Sequence, residues 1–190
     1  MPSLLVAGKL IVGGRGLAPA VLRRAATMAL DWDTRQRSRF EATDASGRRI
    51  GVFLPRGIAV RGGDVLVAED GSLVVVQALA QPILVATARA TSAHPALDLL
   101  RAAYHLGNRH VALALEVERL VLEPDHVLAE LLERMGLDVA SASGPFEPES
   151  GAYDGRASSG AHGHAADVHP SHPHAHGQAH ANAPLHPGRP

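Results

Sequence analysis

Histidine is the residue type with the clearest chemical potential in this chain, because eight of its twelve histidines fall in the last 29 residues. A neutral imidazole offers one lone pair and suits Ni, Cu, Zn and Co. Side chains two apart in an extended chain project to the same side, so each His-x-His pair can chelate one ion. We predict several exchangeable metal sites there. The candidate ligands are His162, His164, His169, His172, His174, His176, His180 and His186.

This histidine-rich segment could instead be an expression tag, a solubilising linker or a pH sensor. An affinity tag is usually an uninterrupted run, whereas these histidines alternate with Pro, Ala, Gly and Ser. A pH sensor remains open as an alternative, because all of the imidazoles would gain charge below about pH 6.5.

The overall composition excludes several classes of protein. The 190 residues carry 18 Lys and Arg against 19 Asp and Glu, which argues against a general attraction to nucleic acid or anionic lipid. Cysteine is absent, which removes disulfides, thiolate nucleophiles and cysteine-based metal clusters. No apolar stretch approaches the ~20 residues that span a bilayer. The sequence therefore predicts a cytoplasmic protein that binds neither membranes nor nucleic acid.

The first part of the chain has the signature of a small all-β domain, which we place at residues 1–78. Short β-type runs, for example 49–54 and 64–67, alternate with glycine-containing turns. Residues 19–30 are rich in alanine and could instead form a helix by propensity alone.

Residues 79–150 predict a second domain of the order β-α-β-β-α-β. The expected strands are 83–88, 111–115, 118–122 and one starting at Leu137. The first helix is expected to start at residues 92–95, to have Leu97, Leu100 and Tyr104 on one face and to end at Gly107. The second helix is expected to start at Pro124 and to end at Gly136. The buried stripe of this second helix would be Val127, Leu128, Leu131, Leu132 and Met135. This order is that of a ferredoxin-like split βαβ unit, so the fold class is α+β.

The third segment, 151–190, predicts a disordered tail. It has few large aliphatic residues and consists mainly of Ala, His, Gly, Pro, Ser and Asp. Such a composition cannot bury enough apolar surface to offset a backbone ordering cost of ~1–2 kcal/mol per residue.

Four histidines fall within the predicted folded part. His94 precedes a helix and is assigned no role. His105 lies near the end of that helix, where the helix dipole favours an imidazolium. His110 occupies a helix–strand junction from which it can point outward, although each of these two is by itself more often structural. His126 falls in the first turn of the second helix, where the dipole disfavours protonation and keeps a lone pair available.

One run has unusual specificity: Tyr104-His105-Leu106-Gly107-Asn108-Arg109-His110. Together with residues 124–128, 135–137 and 146–153, the N-terminal runs 54–57 and 61–66, and the histidine-rich end, it resembles the UreE family of urease accessory proteins, which are nickel metallochaperones. The similarity covers nearly the whole chain in the right order.

The resemblance implies a homodimer of two-domain subunits that carries Ni(II) as cargo, with Zn(II) or Cu(II) able to bind in vitro. It assigns the ligand between subunits to His110, contributed once by each protomer, and peripheral ligands to His105 and His126. Some relatives have histidine at the position of Pro124, so a peripheral His-Asp-His pair is absent here. An isologous dimer turns one His110 per chain into two ligands. We hypothesise that His162 and His164 complete the coordination sphere.

The first hypothesis, which the resemblance implies, is delivery of nickel to the urease apoprotein complex, through the GTPase UreG, without catalysis. A second hypothesis is a storage or detoxification buffer whose tail sequesters Ni, Zn or Cu. A third is a hydrolytic metalloenzyme using His126 and Glu130, but the chain lacks His-Glu-x-x-His, Gly-x-Ser-x-Gly and a phosphate-binding Gly-x-x-x-x-Gly-Lys.

Overall fold

The computed structural model describes residues 4–150 of the chain. The strands of this part are β1 Leu5–Ile11, β2 Ala26–Leu30, β3 Arg39–Thr43, β4 Arg49–Phe53, β5 Val65–Ala68, β6 Leu73–Ala78, β7 Ala80–Ala88, β8 Leu113–Leu115, β9 Arg119–Leu122 and β10 Leu137–Pro145. The α-helices are α1 Pro19–Leu22, α2 Trp32–Arg35, α3 Pro95–Gly107 and α4 His126–Arg134, and a 3-10 turn spans Val12–Gly14. Within these residues, no helix is long and apolar enough to cross a membrane.

The N-terminal half, residues 4–79, is built on a six-stranded mixed sheet with the order β2-β6-β5-β1-β4-β3. The pairs β1–β4 and β2–β6 are parallel, and the other three are antiparallel. Alternate side chains of the strands supply an aliphatic core, in which Ala7, Ile50, Val52, Leu66 and Val74 have no exposed surface. The predicted β architecture of this half is confirmed.

The stretch 19–30 contains both of the structures that its sequence suggested. Only Pro19–Leu22 is helical, for a single turn, and Ala26–Leu30 is a strand paired with β6. A helix over the whole stretch is therefore wrong. Pairing with a buried strand gives the alternate side chains Met28 and Leu30 a core position, and this outweighs the helix propensity of alanine.

The C-terminal half, residues 80–150, places a four-stranded antiparallel sheet beside α3 and α4. Its strand order is β10-β7-β9-β8, and the elements follow one another as β-α-β-β-α-β. The helix-covered face carries the core, where Leu84, Leu120 and Leu122 from the sheet meet Leu106 and Leu132 from the helices. Sheet and helices together make the protein α+β.

Helix α3 buries a different face from the one that its apolar spacing singled out. The buried residues are Leu99, Ala102 and Leu106. Leu97, Leu100 and Tyr104 do share a face, but they are 41%, 67% and 67% exposed. Each set has the spacing i, i+3, i+7, so periodicity alone could not decide which set faces the core. The result is an apolar stripe on the outside of the protein.

Helix α4 begins two residues later than the predicted start at Pro124. Asp125 is the N-cap, and its carboxylate accepts hydrogen bonds from the backbone N–H groups of Val127 at 2.8 Å and Leu128 at 3.0 Å. Val127 is 56% exposed, so its assignment to the buried stripe is wrong, whereas Leu132 is fully buried. The predicted stop is correct, because Gly136 has a φ of 89°.

Candidate metal centre

His110 sits where α3 turns into β8, in a conformation that is unusual for its residue type. Its φ is 56°, and it is the sole non-glycine residue with positive φ in the described part of the chain. The turn is a Schellman motif: the N–H of Val111 donates to the carbonyl of Leu106 at 3.2 Å, and the N–H of His110 donates to the carbonyl of Gly107 at 2.9 Å. His110 occupies the left-handed position that glycine usually takes.

The anchors on both sides of this turn are apolar. Leu106 is fully buried, Val111 packs against the same core, and Leu113 continues into β8 with 8% exposure. His110 between them is exposed. Gly107 was predicted to stop the helix, but it is the last helical residue, and the left-handed residue lies three positions further on. An imidazole at a site where glycine would fit without strain points to a function for the side chain.

His105 is also exposed, in the last turn of α3. Its ring lies 5.4 Å from that of Tyr104, centroid to centroid, in an edge-to-face arrangement with an interplanar angle of 73°. Its backbone carbonyl accepts a hydrogen bond from Arg109 Nη1 at 3.1 Å. The exposed imidazole therefore lies beside the apolar stripe of Leu97, Leu100 and Tyr104.

His126 is the first residue of α4 and is exposed. The neighbouring carboxylate of Asp125 is turned toward the backbone N–H groups of the helix, where it caps them. This carboxylate compensates the positive end of the helix dipole, which would otherwise oppose a cation at His126. Glu130, one turn further, pairs with Arg134 at 3.4 Å.

Within residues 4–150 no three or more His, Asp and Glu side chains come close enough together to hold a metal ion. His105, His110 and His126 therefore do not form a joint cage. The other predicted ligands lie outside the described residues: His162, His164, His169, His172, His174, His176, His180 and His186. A metal centre at any of the three displayed histidines needs ligands from elsewhere.

Sequence reasoning missed a cluster of charged residues that joins the two halves of the protein. Arg35 is fully buried, and its Nη1 donates to Glu147 Oε1 at 2.7 Å, its Nη2 to the carbonyl of Phe146 at 2.6 Å and its Nε to the carbonyl of Leu30 at 3.1 Å. Burial lowers the pKa of the Arg35 guanidinium, and the carboxylate of Glu147 opposes that effect. A buried arginine in a β-rich region carries no local sequence signal.

Arg61 is the second cation of this cluster. Its Nη1 lies 3.4 Å from Glu147 Oε2 and also donates to the carbonyl of Pro148, while its Nη2 donates to Ser150 Oγ at 3.0 Å. The guanidinium carbons of Arg35 and Arg61 lie 5.2 Å and 4.9 Å from the centre of the Trp32 ring. Both cations therefore share one aromatic partner as well as one carboxylate.

A cavity of about 250 Å³ lies beside the His110 turn. It is lined by Ala103, Gly107, Val111, Leu113, Leu115, Glu149 and Ser150. The backbone N–H of Glu149 donates to the carbonyl of Leu113 at 2.8 Å. The chain thus leaves the described part at Ser150 on the same side of the protein as His110.

The amino-acid sequence matches two family models. The first is described as UreE urease accessory protein, N-terminal domain, and matches residues 11–79. The second is described as UreE urease accessory protein, C-terminal domain, and matches residues 81–182.

Relatives with the name urease accessory protein UreE match over most of the chain. The protein of Albidiferax ferrireducens is 58% identical over 179 residues, which is 94% of this chain and 100% of the relative. That of Methylibium petroleiphilum is 64% identical over 158 residues, 83% of this chain and 72% of the relative. That of Verminephrobacter eiseniae is 52% identical over 170 residues, 89% of this chain and 100% of the relative.

Proposed function

The chain belongs to the UreE family of urease accessory proteins, and we propose that it binds Ni(II) and delivers the ion to the urease apoprotein complex. Members of this family are accessory chaperones in urease maturation, are associated with nickel handling and are not enzymes. The chain therefore acts in urease maturation as an accessory protein, and the hydrolase hypothesis built on His126 and Glu130 is wrong.

The observation that carries the nickel proposal is the conformation of His110. Its exposed imidazole occupies the left-handed position of a Schellman motif, anchored by buried Leu106 on one side and Leu113 on the other. A solvent-facing imidazole on an anchored backbone turn suits an ion that must be both captured and released. Ni(II) is an imidazole-binding ion, and the family supplies the choice among Ni, Cu and Zn, which imidazole chemistry alone leaves open.

The chain forms a homodimer in this proposal, with the outer face of α3 as its interface. Leu97, Leu100 and Tyr104 form an exposed apolar stripe along that helix, and His110 lies just beyond the helix end. A two-fold axis near this end would bring the two copies of His110 together and bury both stripes. Two imidazoles leave the coordination sphere incomplete, and His162 and His164 are proposed to complete it. His105 and His126 serve as peripheral ligands.

Each segment of the chain has its own role in nickel delivery. Residues 1–78 form a β domain that binds protein partners, residues 79–150 form a ferredoxin-like metal-binding and dimerisation domain, and residues 151–190 form a histidine-rich tail. The observed strand order of β7 to β10 is consistent with the ferredoxin-like arrangement. In the cytoplasm the protein would hand nickel to the GTPase UreG and the urease apoprotein.

The alternative is a buffer that stores or detoxifies Ni, Zn or Cu. The eight histidines between residues 162 and 190 favour it, because labile imidazole sites bind all three ions. A buffer needs only capacity, whereas delivery also requires nickel-dependent complexes with UreG and the apoprotein.

Nickel titration with matched variants tests the metal site. His110→Asn removes the imidazole with a residue that tolerates the left-handed conformation, so the turn is preserved. We expect it to weaken the tightest nickel site about tenfold or more, and a chain ending at Ser150 to bind fewer ions. His94→Asn, at an exposed histidine without an assigned role, should match the wild type. Unchanged stoichiometry and affinity in both test variants would contradict the proposal.

Delivery is tested with purified UreG and urease apoprotein. We expect both to be captured in a nickel-dependent manner and urease activity to fall in cells lacking the chain under scarce nickel. Cells expressing only the His110→Asn variant should show the same defect. Nickel binding without nickel-dependent capture would favour the buffer.

A further inference from the structure

We propose that Arg109 is a positioning residue for the nickel site, because its guanidinium clamps the turn that presents His110. The inference deepens the proposed nickel function and rests on it. The turn consists of residues 107–110, all of which are exposed. Within the described part of the chain, the hydrogen bond from Arg109 to the carbonyl of His105 is the single one that a side chain of this turn makes.

The last carbonyls of α3 show what the clamp does. In a continuing α-helix, the N–H of residue 109 would donate to the carbonyl of residue 105. Here the N–H of Arg109 donates to the carbonyl of Leu106 instead, at 3.0 Å. The carbonyl of His105 is thereby released, and Arg109 Nη1 donates to it at 3.1 Å. Arg109 thus holds two successive carbonyls of the helix end, one with its backbone and one with its side chain.

These bonds tie the conformation of His110 to the helix. The carbonyl of Leu106 also accepts from the N–H of Val111 at 3.2 Å, and the N–H of His110 donates to Gly107 at 2.9 Å. A φ of 56° is costly for a residue with a side chain, so this turn has a tendency to open. Arg109 opposes opening, because its side-chain hydrogen bond is kept only while residue 109 stays next to the helix end.

Arg109 differs in this respect from the other arginines of the C-terminal half. Each of the other four pairs with a carboxylate: Arg89 with Asp138, Arg101 with Asp98, Arg119 with Glu116 and Arg134 with Glu130. Arg109 donates to a backbone carbonyl at the negative end of the α3 dipole. A cationic donor at this end is a helix cap. The contacts of Arg109 therefore fit a role in the turn.

The charge of Arg109 has a second consequence for an ion bound at His110. Arg109 forms no ion pair with another described residue, so its positive charge opposes a nearby metal ion. The clamp strengthens nickel binding and the charge weakens it. Salt separates the two contributions, because the screening length is only ~3 Å at about 1 M ionic strength.

The first test measures the turn without metal. Hydrogen exchange of the Val111 amide, which donates to Leu106, reports the opening of the turn. Arg109→Met keeps the length of the side chain and removes its donors. We expect it to speed this exchange about fivefold, the factor that one hydrogen bond typically contributes. Arg101→Met, at an exposed arginine paired with Asp98 on the same helix, is the matched control and should not change the exchange.

The second test measures Ni(II) binding by the full chain. At about 1 M salt, Arg109→Met should raise the dissociation constant of the His110 site about fivefold. Arg109→Lys keeps a charge and a donor and should recover at least about half of this loss. At low salt the loss in Arg109→Met should be smaller, because the missing charge no longer repels the ion. Arg101→Met should match the wild type at both salt concentrations.

The outcomes separate positioning from general support of the fold. Unchanged exchange of the Val111 amide in Arg109→Met, or an unchanged dissociation constant at about 1 M salt, would overturn the inference. An equal loss of nickel affinity in Arg101→Met would indicate a merely structural role and would also overturn it. His110→Asn is measured alongside. If that variant leaves nickel affinity unchanged, the proposed function fails, whereas the exchange rates still decide whether Arg109 clamps the turn.

Discussion

The two halves of the described chain differ in how much reactive and apolar surface they display. Residues 1–80 contain no histidine and carry eleven Lys and Arg against seven Asp and Glu, whereas residues 81–150 contain four histidines and carry five Lys and Arg against ten Asp and Glu. No large hydrophobic side chain that is described in the N-terminal half is more than 48% exposed, whereas five in the C-terminal half exceed 50%. The histidines proposed as metal ligands and the apolar surface proposed for self-association thus both lie in the C-terminal half.

The largest expected effect comes from breaking the connection between the halves. Arg35→Met should lower the free energy of unfolding by about 2–4 kcal/mol, because it removes the ion pair with Glu147 and the side-chain hydrogen bonds to the buried carbonyls of Leu30 and Phe146. Urea unfolding followed by the fluorescence of Trp32, the sole tryptophan, measures the change. Arg37→Met removes an exposed ion pair with Asp33 and should change stability by less than about 0.5 kcal/mol. Equal stability of Arg35→Met and wild type would show that this cluster does not fasten the halves.

Self-association tests the contrast in exposed apolar surface. Leu100→Asp places a charge on the outer face of α3 and should raise the dimer dissociation constant at least about tenfold, since ~1.4 kcal/mol corresponds to that factor. Sedimentation velocity over a range of concentrations measures it. Phe53→Asp, at a 48% exposed residue of the N-terminal half, is the matched control and should leave the dimer unchanged. If Phe53→Asp dissociated the dimer and Leu100→Asp did not, the self-association surface would lie in the N-terminal half.

Acid stability tests the electrostatics of the N-terminal half. Burial alone would raise the pKa of Asp44, but hydrogen bonds from Ser46 and Arg48 outweigh this and lower the pKa to about 2. A lowered pKa in the folded state means that Asp44 stabilises the protein above about pH 4 and that this contribution is lost as the pH falls toward about 2. We expect Asp44→Asn to be about 1–2 kcal/mol less stable near pH 7 and to converge with the wild type near pH 2. Parallel stability curves across this range would contradict the assignment.

The smallest effect concerns the backbone of His110. Glycine adopts a φ of 56° without steric cost, so His110→Gly should raise the free energy of unfolding by about 0.5–1 kcal/mol while it removes the proposed nickel ligand. Chemical denaturation of the metal-free protein measures the gain. A loss of stability would mean that the imidazole itself supports the turn.

The sequence predicted the type and order of the helices and strands more accurately than their exact ends and their buried faces. Alternation and glycine turns identified the strands of the N-terminal half, and the order β-α-β-β-α-β was visible in residues 79–150. The buried face of α3 could not be predicted from the sequence, because two sets of apolar residues share the same spacing. Only contact with the sheet distinguishes them. The start of α4 was misplaced, because Pro124 and Asp125 both provide start signals and the carboxylate of Asp125 satisfies two backbone N–H groups.

The candidate site also combines features that the sequence predicted with features that it did not. His105, His110 and His126 could be chosen from residue type and from the resemblance carried by residues 104–110. The left-handed conformation of His110 could not be predicted from the sequence, since it follows from buried apolar anchors on both sides of the turn. Arg35, Arg61 and Glu147 also escaped sequence reasoning. Arg35 and Glu147 are 112 positions apart in the chain, so no local pattern connects them.

The amino-acid sequence by itself determined the chemistry available to this protein: many imidazoles, no thiols, and membership of a family that is associated with nickel handling. Those properties depend on residue identity and local order. The tertiary structure alone decided which helix face stays exposed, how His110 is presented and where the chain leaves toward its histidine-rich end. Those outcomes depend on contacts between residues distant in sequence, because burial and ion pairing are settled only when the two sheets and their helices pack together.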